Sequence, residues 1–215
     1  PYMLTKGRIQ AIKSFADKKQ RNAKGVFVVE GAKSVAELLM TNLTIEELYV
    51  THEFAKKYEK ELHAAGKRQA AEQNWLKPQL VEAGELQQMS SLAATDGALA
   101  LVKQPIKVEA NIVDEAKKDI VLVLEDIRDP GNLGTIIRIA DWYGVKHIFA
   151  SVGTVDMFNN KTIISSMGSF ARVHIQYGDI KESLKQCNEQ KILTIGSVLG
   201  AKSSHAYAWP KTGVL

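Results

Sequence analysis

The chain has 215 residues, 45% of them apolar, enough to bury one or two modest cores. A net charge of +4 and a pI near 9.0 are compatible with a polyanionic partner. The single Cys187 excludes an internal disulfide; no amino-terminal stretch reads as a signal peptide and no apolar run could cross a bilayer, so the simplest expectation is a cytoplasmic protein with no membrane partner.

The first segment, KGRIQAIKSFADKKQRNAKG, sets Lys6, Arg8, Lys13, Lys18, Lys19, Arg21 and Lys24 against one acid, Asp17. Ile9, Ile12 and Phe15 recur at spacings of three and four, which predicts an amphipathic helix with a basic outer face. Each cation that meets a phosphate releases counterions and adds salt-sensitive, sequence-independent affinity, so Arg8, Lys13, Lys18, Lys19 and Arg21 are candidate contacts to a phosphate-bearing polyanion. A merely solvated helix is the competing reading. VFVVEG then reads as strand, AKSVAELLM as helix, IEELYV as strand and EFAKKYEKELHAAG as a helix closed by Gly66. A helical turn near ELQQMSSL and a strand at GALALVK complete a small α/β/α unit over residues 1–103. QPIKVEANIVDEAKKD lacks strand alternation and contains Pro105, so residues 104–118 read as a linker.

A second unit, residues 119–215, opens with IVLVLED, continuously apolar and β-branched like a parallel strand covered on both faces. Asp129, Pro130, Gly131 and Asn132 end that strand; Asn132 or Asp129 can cap the next helix, and Pro130 suits a turn or first-turn position. Loops at the carboxyl ends of parallel strands are where open α/β sheets bind ligands. In the helix, Gly134 and Arg138 share a face, and Arg138 is expected to lean back over Gly134 toward Asn132. An ion pair of Arg138 with Asp141 or Asp129 is the plain alternative. Ile136, Ile137, Ile139, Ala140 and Tyr143 are expected to face the sheet, and Trp142 to pack in the core or at an interface. Further strands are expected near HIFAS, ARVHIQY and KILTIGS.

Other chemistries lack their spacing. There is no GxGxxG after a strand, no GxxxxGK[ST], no HExxH and no Cys/His pairing, so nucleotide fingerprints and a metal site are unsupported. His147 falls at the amino end of its strand, away from the ligand edge. Trp75, Trp142 and Trp209 are too dispersed to form a base-stacking platform.

Asp129, Pro130, Asn132, Gly134 and Arg138 together resemble the first signature motif of the SpoU, or TrmH-like, RNA ribose 2′-O-methyltransferases. VDMFNNKTIISSMGSFARVHI resembles the family's following helix, with Ser166 and Gly168 at its small-residue positions. FVVEGAKSVAELL and ATDGALALV resemble the two ends of the amino-terminal substrate-binding domain found in many members, so the likeness covers nearly the whole chain. It implies an α/β fold: a SPOUT-like parallel-sheet catalytic domain whose trefoil knot is incomplete within these residues, preceded by a ribosomal-protein-like α/β/α substrate-binding domain. The family's second and third motifs, which form most of the cofactor pocket, the knot and much of the dimer interface, are expected beyond Leu215.

The resemblance further implies S-adenosylmethionine as cofactor, RNA as partner (ribosomal more than transfer RNA) and a homodimer. It makes Arg138 and Asn132 the catalytic candidates and the loop Ser197, Val198, Leu199 and Gly200 the cofactor candidates; Arg172 joins the RNA contacts, or else only braces its strand edge. Arginine has a pKa above ~12 and is a poor proton acceptor, so positioning and electrostatic stabilisation are the roles expected of Arg138. An RNA-binding module or inactive partner subunit that keeps the fold is the second reading.

Overall fold

In a computed structural model, residues 4–72, 76–106, 109–198, 200, 203, 205 and 207–215 are described. The basic leader is two helices, α1 (Lys6–Ser14) and α2 (Lys18–Lys24). Asp17 divides them: its carboxylate accepts the Gln20 amide at 3.0 Å and starts a new helix that Gly25 ends in the left-handed conformation. There follow β1 (Val26–Glu30), α3 (Ala32–Leu39), β2 (Ile45–Val50), α4 (His52–Lys57), α5 (Glu59–Ala71), β3 (Gln79–Leu80), α6 (Ala83–Met89) and β4 (Ala98–Lys103). The expected helix over residues 53–66 is broken at Tyr58 and runs on through Gly66, which is an interior residue and not a cap.

These strands form a mixed sheet in the order β1-β4-β2-β3. Strand alternation splits its side chains between two cores. Phe27, Val29, Leu48 and Val50 meet α3, α4 and α5 on one face, while Val26, Val28, Tyr49, Leu99 and Leu101 meet Ile12, Phe15, Leu86 and Met89 on the other.

The second half comprises α7 (Ile112–Lys118), β5 (Ile120–Leu124), α8 (Pro130–Trp142), β6 (His147–Ser151), α9 (Asn160–Ser166), a 3-10 turn (Ser169–Ala171), β7 (His174–Gly178), α10 (Ile180–Glu189) and β8 (Gly213–Val214). The stretch expected to be linker thus contains α7, capped by Asn111 and burying Ile112, Val113 and Ala116 against the sheet. About two turns were too short to display a helical period among its charges. The sheet is parallel throughout, ordered β7-β6-β5-β8. Val121, Phe149 and Val214 face α7 and α10; Ile148 faces Leu133, Ile137 and Ala140 of α8. The strand expected near KILTIGS is reduced to a parallel bridge between Thr194 and Val214.

The helix α9 links the halves. Ile163 and Phe170 complete the core under α3 and β1, and the Phe27 ring lies 4.5 Å from that of Phe158. Asn160 donates to the buried Glu30 carboxylate at 2.5 Å and to Ser91 Oγ at 2.8 Å. These contacts fix the first sheet against the second.

Candidate active site

The chain steps from β5 to β6 to β7 along one side, then returns to place β8 on the other side of β5. Ligands of open parallel sheets bind at such reversals of strand order, outside the carboxyl ends. The loop between β5 and α8 lies on that edge. So does the segment after Ile195, whose amide donates to Val214 O in parallel register. A pocket of about 240 Å³ opens on the same edge beside Glu125, Ser151, Val152, Asp179 and Lys181.

The β5–α8 loop is held by its own polar side chains. Asp126 adopts a left-handed φ of 52°; its amide donates to Ser151 Oγ at 2.9 Å, and the hydroxyl donates back to Asp126 Oδ1 at 3.1 Å. Gly153 leaves room for this carboxylate, since a Cβ there would fall 2.3 Å from Asp126 Oδ1 and displace it. Asp129, not Asn132, caps α8, accepting the Asn132 amide at 2.8 Å with Pro130 in the first turn. That hydrogen bond, with Lys161 Nζ 3.3 Å away, holds the Asp129 carboxyl below the usual carboxylate range.

Gly134 serves packing. A Cβ there would lie 2.6 Å from both Ser165 Cβ and Thr162 O, so the glycine lets α8 and α9 cross at close range and is not a bare platform beneath Arg138. Arg138 itself is exposed, and neither its guanidinium nor the Asn132 side chain bonds to another described residue. The plain alternative of an ion pair is not observed: Asp129 is taken by Lys161, and Asp141 by Arg172 and Ser169.

The proposed RNA contacts divide. Lys13, Lys18 and Lys19 are exposed, and Lys18 Nζ stands 5.7 Å over the Tyr177 ring, so the basic helices border the second sheet. Arg21 is a correction: it is buried, donates to Phe15 O and Ala16 O at 2.9 and 2.7 Å, and pairs with Asp156 at 2.5 Å. The break at Asp17 rotates α2 and turns this arginine inward. Arg8 is likewise engaged, its guanidinium bonded to Glu47, which also accepts the Tyr49 hydroxyl. Arg172 spends its fork on Asp141 and braces the 3-10 turn against α8. Ser197, Val198 and Gly200 are exposed, with Gly200 at φ 79°, while Leu199 lies outside the described residues. Among the described residues no cluster of His, Cys, Asp or Glu could hold a metal.

The sequence reading assigned Ile139 and Tyr143 to the sheet, yet they are 52% and 78% exposed, and Trp142 is 85% exposed. With Ile137 and Ala140 already filling the inner face, these three project outward. Lys161 was missed at the site because its neighbours in sequence give no sign that α9 crosses α8 at Gly134.

Comparison with known proteins agrees with this geometry. Residues 119–215 match the model of the SpoU rRNA Methylase family and residues 6–100 that of the MRM3-like substrate binding domain. The 23S rRNA (guanosine(2553)-2′-O)-methyltransferase RlmP of Bacillus subtilis is 33% identical over 37% of this chain and 32% of its own length. The mitochondrial rRNA methyltransferase 3 of Xenopus laevis is 27% identical over 74% of this chain and 36% of its own length. The chain therefore spans about a third of these relatives. A TrmH-family protein from Porphyromonas gingivalis superposes with a TM-score of 0.76 at 25% identity, covering 99% of this chain and 79% of that one. The AdoMet-bound rRNA methyltransferase of Sinorhizobium meliloti shares the fold, with a TM-score of 0.71 at 20% identity over 99% of this chain and 77% of that one. On the matches to its two halves, residues 119–215 of this chain belong to the SpoU rRNA Methylase family and residues 6–100 carry an MRM3-like substrate binding domain.

Proposed function

We propose that the protein is an S-adenosylmethionine-dependent RNA ribose 2′-O-methyltransferase acting on ribosomal RNA. The observation that carries this reading is Arg138, uncommitted and exposed while Asp141, the acid beside it on α8, is bound by Arg172 and Ser169. The rRNA methyltransferase names of the relatives favour ribosomal over transfer RNA.

The cofactor, when bound, supplies an electrophilic sulfonium methyl. Ser197, Val198, Leu199 and Gly200 would hold it, and their fit rests on two features. Among the described residues the amides of Ser197, Val198 and Gly200 are unused, and Val198 offers an apolar side chain that is 72% exposed. Arg138 grips the phosphate next to the target ribose and, with Asn132, stabilises the oxygen as it loses its proton to water. A bound cofactor would thus meet a 2′-oxygen that Arg138 and Asn132 hold in place while it gives up its proton. Alignment of two bound partners can supply on the order of 7–11 kcal/mol of the barrier reduction.

The exposed Lys13, Lys18 and Lys19 supply phosphate contacts from the first half, in keeping with its role as the RNA substrate-binding domain. Residues 104–111 are the linker in this reading, since α7 packs with the second sheet. The outward Ile139, Trp142 and Tyr143 support a homodimer through α8. The test is turnover of the full-length protein on unmodified ribosomal RNA. Arg138→Ala is expected to lose at least about a hundredfold, the scale of one positioned transition-state donor. Arg138→Lys is expected to recover little of it, because an ammonium lacks the planar fork. Full turnover by Arg138→Lys would overturn the role given to the guanidinium.

A further inference from the structure

Arg138 and Asp141 are three residues apart on α8, neighbours on a helix surface where opposite charges pair. They do not pair. Asp141 instead receives three contacts from Arg172, Nε at 3.1 and 2.9 Å and a terminal nitrogen at 2.7 Å, plus the Ser169 hydroxyl at 2.7 Å. Arg172, foremost among its neighbours, holds Asp141 below the usual carboxylate range, and Glu37 across the interface also favours the charged arginine. At the N-terminal end of α8 Lys161 likewise occupies the capping Asp129, which lies nine residues from Arg138 and on the other face of the helix. The acid of α8 that neighbours Arg138 on the helix surface is thus held by a cation that follows the turn after α9.

We propose that Arg172 is a positioning residue for the reaction: by holding Asp141 it keeps Arg138 unpaired and free to take an RNA phosphate or the developing alkoxide. The proposal rests on the reading of Arg138 as the reactive arginine. Arg172 suits the task because a guanidinium fork engages a carboxylate through several donors at once and competes for Asp141 better than the single helix-surface contact open to Arg138. Asp141, with its side chain only 23% exposed, has little water to turn to if Arg172 is removed.

The experiment uses the full-length protein as parent, Arg172→Gln, Asp141→Asn and the double variant. Arg138 is modified with phenylglyoxal and quantified by peptide mass spectrometry, and methyl transfer to unmodified ribosomal RNA is measured in parallel. Arg172→Gln is expected to slow Arg138 modification and lower kcat/KM by about threefold, the size of a helix-surface ion pair. The double variant is expected to return both to the parent values, because the carboxylate that captures Arg138 is gone. A purely structural bridge predicts the reverse: the double variant, lacking both ends, would be at least as impaired as Arg172→Gln, and that result overturns the proposal. Arg172→Met, which keeps an apolar stem without the charge, is the second variant should Arg172→Gln fold poorly, and unchanged Arg138 reactivity in it overturns the proposal equally. The underlying assignment fails separately, through full transfer by Arg138→Ala.

Discussion

Replacing Gly134 by alanine sets two known effects against each other. Alanine is favoured over glycine in a helix interior by about 1 kcal/mol. The new methyl, however, would sit 2.6 Å from Ser165 Cβ and Thr162 O and 3.0 Å from Ser166 N, where carbon contacts relax only near ~3.5–4.0 Å. Two of those three atoms are backbone, and α9 is pinned on its far side by Ile163 in the first core and by Asn160 on Glu30. The helices cannot separate freely, so overpacking at the upper end of its usual ~1–3 kcal/mol range outweighs the propensity gain. The net loss is about 1–2 kcal/mol, or roughly 2–8 °C in Tm for a protein of this size. Gly66→Ala, within α5 with nothing inside 4 Å of the new methyl, gives the control: a gain of about 0.5–1 kcal/mol. Thermal and urea melts of both variants decide the matter. A Gly134→Ala protein as stable as Gly66→Ala would refute the close helix crossing on which the site's geometry depends.

Other consequences can be checked independently. Arg21→Ala leaves the largely buried Asp156 without its cation and is expected to cost about 3 kcal/mol, whereas Lys19→Ala, at an exposed position, stays within about 0.5 kcal/mol. Lys19→Ala should instead weaken RNA binding and flatten its dependence on salt, as filter binding across a salt series would report. Burial depresses the pKa of His147, which faces Glu115 at 3.4 Å, His174 at a ring distance of 5.6 Å, and Lys118 and Lys146. Because the unfolded chain then binds the proton more readily, its contribution to stability is whole above about pH 6.5 and is lost as pH falls through the lower folded value. Urea melts of His147→Gln should lose that slope; an unchanged slope would assign it to another group. Trp142→Glu places a charge on the exposed α8 face and is expected to convert a dimer to monomer by light scattering, while an unaltered mass would move the dimer contact elsewhere.

What the residues disclosed in advance follows from how local each signal is. IVLVLED and the Asp129–Asn132 loop announce a buried parallel strand and a capped helix because periodicity and capping are written within a few residues. The α/β/α layering of the first half was equally legible, with Val26 and Val28 alternating against Phe27 and Val29. Arg21 was not, since a basic residue among lysines looks solvated until Asp156, far along the chain, is brought to it. Ile139 and Tyr143 were misassigned because an apolar helix face reads the same whether it meets a sheet or projects outward. The capture of Asp141, beside Arg138, was equally hidden, because Arg172 reaches α8 only through the fold of the segment after α9.

The activity proposed for the Arg138 site is transfer of a methyl group to a ribose oxygen. Its most direct test incubates the full-length protein with unmodified ribosomal RNA and methyl-labelled S-adenosylmethionine, then digests the RNA with alkali. Label in alkali-resistant dinucleotides, absent with Arg138→Ala, is the predicted result, because a 2′-O-methyl group blocks cleavage of the adjoining phosphodiester. Label confined to mononucleotides, or salt-sensitive RNA binding with no transfer, would contradict the account and leave an RNA-binding subunit in its place.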